Sequence, residues 1–141
     1  MEHEHDRPVT FFRFEDLRIY HKALEYVDWV YMVAKQTGED PYGRQLFERF
    51  LNTAFGIPLN IAEGSSRNKS QFVYYLKMAK SSVRECVVFS TVALGHGFLT
   101  QAGFDESKNR LMEMTKMIGA LIGSLQRSVK PGEFEDEEGP D

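Results

Sequence analysis

Ile57-Pro58-Leu59-Asn60-Ile61-Ala62-Glu63-Gly64 decides how this chain is read, because Pro58 falls inside sequence that is otherwise helical. Leu46, Phe47, Phe50, Leu51, Ala54 and Phe55 run into it at three- and four-residue spacing, the period of an amphipathic helix. Pro58 has no N–H to give the Ala54 carbonyl, and its ring crowds the preceding turn. An interior helical proline costs at least about 3 kcal/mol. Tertiary packing must offset that cost, so the segment is expected to be a kinked, well-packed helix in a helical bundle. Asn60, an amide on this apolar segment, needs partners if it is buried. It is expected to bond backbone groups loosened near the proline. Glu63 and Arg67, four apart, form a favourable helical pair if the helix reaches that far.

Working outward, three further helices are expected. Gly38-Glu39-Asp40-Pro41 is a break with a C-cap glycine, an N-cap aspartate and a proline suited to the first helical position. The first helix should start at an Asp16 cap and end before Gly38. Leu17, Tyr20, Leu24, Val27, Tyr31 and Ala34 form one of its stripes. Ile19, Tyr26, Trp29, Val30 and Val33 form a second apolar face, more than one buried stripe requires. Ser65 to Ser70 is a polar turn. The third helix should run from about Ser70 to Gly97, with Val87, Val88, Phe89 and Val92 making its second half apolar nearly all round. Leu99 to Gly103 reads as a turn, Asp105 as the cap of a fourth helix, and Pro131-Gly132 as a stop beyond Lys130. The expected fold is all-α: an antiparallel up-down-up-down four-helix bundle with a proline-kinked second helix over residues 14–130. A flexible N-terminal arm (1–13) precedes it and an acidic disordered tail (131–141) follows. Phe11, Phe12 and Phe14 are expected to dock on the bundle or on a neighbouring copy.

Composition narrows the classes of function. The chain has 141 residues, 42% hydrophobic and 27% charged, as in one ordinary globular domain. A single cysteine, Cys86, precludes an intrachain disulfide and suits a reducing compartment. The first residues lack the apolar core of a signal peptide. The least charged stretch, residues 86–103, carries Ser90, Thr91, His96 and Gln101, which argues against a membrane span. A cytoplasmic location is expected. Net charge is −4, but six acids lie beyond Lys130, and the remainder carries 17 basic and 15 acidic residues. Arg44, Arg49, Arg67, Lys69, Lys77, Lys80 and Arg84 face only Glu48 and Glu63 in their stretch, a local charge of +5. These seven are the candidate nucleic-acid-binding residues. Lys77, Lys80 and Arg84 share one face of the third helix. The acidic tail is expected to compete with nucleic acid for that face.

The sequence offers little for catalysis. His3 and His5 have no neighbouring third ligand, and His21 and His96 stand in no spaced partnership with Cys86. Glu-x-x-His repeats of di-metal bundles are missing, as is the Gly-x-x-x-x-Gly-Lys-Ser/Thr phosphate loop. No catalytic residue, metal site or cofactor is expected, and the chain is read as a non-enzyme.

Phe14-Glu15-Asp16-Leu17, IPLNIAEG before a polar turn, Phe72, Tyr75 and Leu76, Ser82-x-x-Glu85 and a glycine-containing turn after Leu94 together resemble one family. It is that of the small four-helix-bundle proteins encoded in intervening sequences of bacterial large-subunit ribosomal RNA genes. The resemblance spans about residues 14–128, with two departures: Leu59 stands where the family usually has Ser, and the glutamate often found near Val87 is missing. The resemblance implies an antiparallel bundle that assembles into a ring-shaped homopentamer. A related group serves as accessory proteins of diversity-generating retroelements and contacts a reverse transcriptase and nucleic acid. Partners implied are therefore other copies of the chain and RNA or a nucleoprotein, or alternatively a reverse transcriptase bound without RNA. Tyr26, Trp29, Val33, Val88 and Val92 are the candidate oligomer interface, and Pro58, Asn60, Glu63 and Gly64 the structural motif.

Overall fold

The computed structural model describes residues 11–128. A short 3-10 turn, Arg13–Asp16, leads into four α-helices: α1 (Arg18–Lys35), α2 (Pro41–Ser65), α3 (Lys69–Gly95) and α4 (Gln101–Arg127). There is no strand among the described residues. Each helix packs on its two neighbours in the cycle α1–α2–α3–α4, and the diagonal pairs make no close backbone approach. This is an all-α four-helix bundle. Most of the expected arm and the whole expected tail lie outside the described residues.

Local chemistry sets the helix ends. The Asp40 carboxylate accepts from the Tyr42 and Gly43 amides and Pro41 takes the first position of α2, as the sequence indicates. Asn68 caps α3 by accepting from the Gln71 amide. Gly38 and Gly97 carry positive φ (68° and 80°) in the turns after α1 and α3, where a side chain would be strained. Two expected starts are corrected. Asp16 does not begin α1: it belongs to the 3-10 turn, whose bonds Glu15 N–H to Phe12 C=O and Leu17 N–H to Phe14 C=O feed directly into the helix. Phe14 then packs edge-on against Tyr20 at 4.9 Å. Asp105 does not begin α4, because Thr100 offers a hydroxyl acceptor to the Gly103 amide five residues earlier. Asp105 instead takes a hydrogen bond from the Gln101 amide group.

Pro58 lies buried inside α2, which continues to Ser65. Asn60 Nδ2 donates to the Gly56 carbonyl, one turn back, at 2.7 Å. It therefore does not serve the Ala54 carbonyl that Pro58 leaves without its helical donor. Gly64 explains the end of the motif: a Cβ there would stand 2.6 Å from Tyr75 Cβ and 3.0 Å from Phe72 Cδ1. A Cβ on Gly56 would collide with the Ser82 hydroxyl. With the Phe50 ring stacked on Phe89 at 5.5 Å, these contacts fall in order, positions rising along α2 as they fall along α3. The buried face of α1 centres on Ile19, Ala23, Tyr26, Val27 and Val30. Tyr31, expected in the first stripe, is half exposed at its edge.

Candidate nucleic-acid interface

Helix geometry places Lys69, Lys77, Lys80 and Arg84 within an arc of about 80° on α3. Lys69 Nζ donates to the Ser128 carbonyl at 3.4 Å, and Ser90 and Ser107 meet at 2.6 Å. These two contacts fix the register of α3 on α4, so residues 69–84 lie beside residues 113–128. Stretch 69–84 holds the four cations and no carboxylate, and the facing stretch 113–128 holds Lys116, Arg127 and one carboxylate, Glu113, which lies 3.6 Å from Lys22 of α1. Among the described residues Lys69, Lys80 and Arg84 have no ion pair; Arg84 donates to the Ser81 hydroxyl at 3.1 Å. Register sets Lys116 and Arg127 of α4 at the height of this row, a level that the sequence alone does not give.

The other three candidates lie elsewhere. Arg44 reaches Glu39 at 3.5 Å at the start of α2. Arg49 lies over the Phe89 ring, 5.7 Å from its centroid, in a groove of about 450 Å³ with Asn52, Thr53, Glu85 and Val88. Arg67 is held by Glu63 at 2.6 Å and lies over the Tyr75 ring at 5.2 Å. Its hydrogen bond with Glu63 raises the already high guanidinium pKa. The seven cations are therefore not one patch. Four occupy the α4 side of α3, and the other three are turned to local partners.

The apolar candidates divide as well. Tyr26 must be removed from the interface set: it is fully buried in the protomer, and its hydroxyl meets Ser107 Oγ at 2.7 Å. Trp29 and Val33 are half-buried and line a groove with Phe98 and Leu99. Val92 is half-buried, whereas Val88 keeps 61% of its surface exposed. On the outer side of α2, Leu59 is 64% exposed beside Phe11 and Phe12, so the aromatic arm leaves much of its own surface uncovered.

Three helices meet at a buried hydroxyl chain that includes Ser107, a residue no sequence motif marks. Ser90 Oγ donates to the Cys86 carbonyl at 2.9 Å, which commits its only proton. Ser107 must then donate to Ser90, and Tyr26 to Ser107. Every buried side-chain polar atom in the described residues has a partner. Burial raises the Tyr26 pKa and pushes the Cys86 thiol up to about 12, so Cys86 is a neutral core residue. His21 is also accounted for, its Nε2 donating to the Glu15 carbonyl at 2.6 Å. No group of three or more metal-ligating side chains gathers among the described residues, and His3 and His5 lie outside them. No described helix is long and apolar enough to cross a membrane.

A family profile described as 23S rRNA-intervening sequence protein matches residues 15–120. The chain belongs to this family. No curated protein matches it. In this intervening-sequence protein the matched span holds α1, α2, α3 and the first part of α4, with the Pro58 motif and the basic row of α3 inside it. Arg127 and the acidic segment lie beyond the match.

Proposed function

We propose that this chain is a non-enzymatic, self-assembling bundle that associates with RNA or a nucleoprotein in the cytoplasm. The basic row of α3, Lys69, Lys77, Lys80 and Arg84 with no carboxylate between residues 69 and 84, carries the reading. Helix-borne cations gain affinity by releasing the counterions of phosphates, and that gain scales with the number of phosphates engaged. Repetition of the row in an assembly multiplies that number. Val88 and Leu59 supply apolar surface for copies to share, and the family resemblance implies five of them.

Full-length protein carrying Lys80→Glu and Arg84→Glu tests the reading against poly(U) RNA across a salt series. Affinity should fall, and the slope of log K against log salt should shrink by about 0.7 for each phosphate the variant no longer engages. Binding by the parent that is undetectable at low salt, or insensitive to salt, removes the RNA half. Light scattering with and without nuclease reports copy number; a monomer at micromolar concentration removes the self-assembly half. Capture of a reverse transcriptase by nuclease-treated protein would favour a protein-only accessory subunit instead.

A further inference from the structure

We infer that the outer groove between α2 and α3 is a pocket for one unpaired guanine of a bound RNA strand. The inference rests on the proposed RNA association and adds a base-reading subsite to it. Arg49, Asn52 and Thr53 of α2 and Glu85, Val88 and Phe89 of α3 line this groove of about 450 Å³, a volume in the range of small-ligand sites. The Phe89 ring is held from within by the Phe50 ring stacked on it at 5.5 Å, and the Arg49 guanidinium lies over it, 5.7 Å from its centroid. Arg49 and Glu85 share the groove without forming an ion pair. The side chains of Asn52, Thr53 and Glu85 make no hydrogen bond to another described residue. Four polar side chains thus converge, uncommitted, around an aromatic ring.

That set selects the occupant. An apolar side chain would strip water from the polar groups and return no hydrogen bond, which is unfavourable. A phosphate would meet the Glu85 carboxylate. A planar base instead can lie on the Phe89 ring in place of Arg49, whose ring contact at an exposed site is weak, and it turns hydrogen-bonding edges to the groove walls. Glu85, ionised, only accepts, so it favours a base with adjacent donors. Guanine alone has them, N1–H and N2–H on its pairing edge; adenine, cytosine and uracil each set an acceptor beside their donor. Arg49, released from the ring, donates to guanine O6 or N7, the commonest specific contact of arginine with a base. The groove also adjoins the basic row: Glu85 follows Arg84 in the chain, and Val88 lies one turn beyond Arg84 on α3. A strand whose phosphates engage Lys77, Lys80 and Arg84 can therefore turn a neighbouring base across the helix into the groove.

The experiment uses the full chain and uridine dodecamers carrying one central guanosine, adenosine or inosine, or none, at one low salt concentration. The guanosine strand should bind about tenfold tighter than the adenosine and all-uridine strands, and inosine, which lacks the N2 amino group, should fall between. Glu85→Gln should cut the guanosine preference to about threefold or less. Loss of its charge alone would raise the affinity of every strand together, so the ratio isolates the hydrogen bonds. Equal affinity for all four strands overturns the inference and leaves the RNA reading standing, as does a preference that Glu85→Gln does not alter. If no strand binds, the RNA reading fails, and the groove is judged by guanosine alone. Amide signals of residues 49–53 and 85–89 should then shift with millimolar guanosine and less with adenosine; signals indifferent to guanosine overturn the pocket. A fall in copy number on Asn52→Ala, read by light scattering, would place a neighbouring copy in the groove and overturn it too.

Discussion

The seam between α2 and α3 and the seam between α1 and α4 are built on different principles. The first is the most extensive in the bundle and is tight because side chains are missing: Gly56 and Gly64 let α3 approach, and aromatic rings fill what remains. The second is the sparsest helix–helix seam and is held by polar groups, the Tyr26–Ser107 hydroxyl pair inside and Lys22–Glu113 outside at 3.6 Å. Close packing resists any added atom, because interiors have almost no free volume. A hydrogen-bonded seam instead resists removal of a partner, since an unpaired buried group loses its solvation without compensation. One seam should therefore be sensitive to gain of volume, and the other to loss of polarity and to pH.

The largest effect is expected at Gly64. Gly64→Ala places a methyl against Tyr75 Cβ, which cannot rotate away, and should cost about 3 kcal/mol. A shift of the urea midpoint with unchanged m-value would show it; a cost below about 0.5 kcal/mol would mean the seam is looser than its geometry. Next, Ser107→Ala strands the Tyr26 hydroxyl and should cost about 2 kcal/mol. Combining it with Tyr26→Phe should cost less than the sum of the two, as a double-mutant cycle reads out, while strict additivity would deny the coupling.

The hydroxyl chain also makes stability fall in alkali. The Cys86 pKa is raised from 9.0 to about 12, and that of Tyr26 is raised above its ordinary 10.0. Folding thus favours the protonated forms. The stability they contribute is intact below pH 9 and is lost as pH climbs from there towards 12. Each group adds a slope of about 1.4 kcal/mol per pH unit once its unfolded form ionises. Cys86→Ala should flatten unfolding free energy between pH 9 and 10, and Gly64→Ala should leave that slope unchanged. The smallest effect belongs to Lys22→Ala at the outer pair, about 0.5 kcal/mol and weaker in salt. A cost above about 1.5 kcal/mol would mark this pair as more than a surface interaction.

Much of the bundle was legible in local chemistry. Asp40-Pro41 announces α2 because capping is decided within four residues, and Gly38 closes α1 for the same reason. Where two local solutions competed, sequence was a poorer guide: Thr100 and Asp105 can both cap, and the earlier acceptor prevailed. The candidate site was half legible. Spacing put Lys77, Lys80 and Arg84 on one face, but it also grouped them with Arg67 and Arg49, whose nearest partners, Glu63 and Phe89, draw them elsewhere.

By itself the sequence determined four helices, most of their ends and the need for close packing around Pro58, since periodicity, caps and steric limits act over a few residues. Only the tertiary structure decided which aromatic of α1 goes inside, because Tyr26 is chosen over Trp29 by a hydroxyl on Ser107, 81 residues away. Only it decided which cations share a surface. Lys116 and Arg127 come level with the α3 row through the register of two helices, and register is a property of the packed pair, invisible in either stretch of sequence alone.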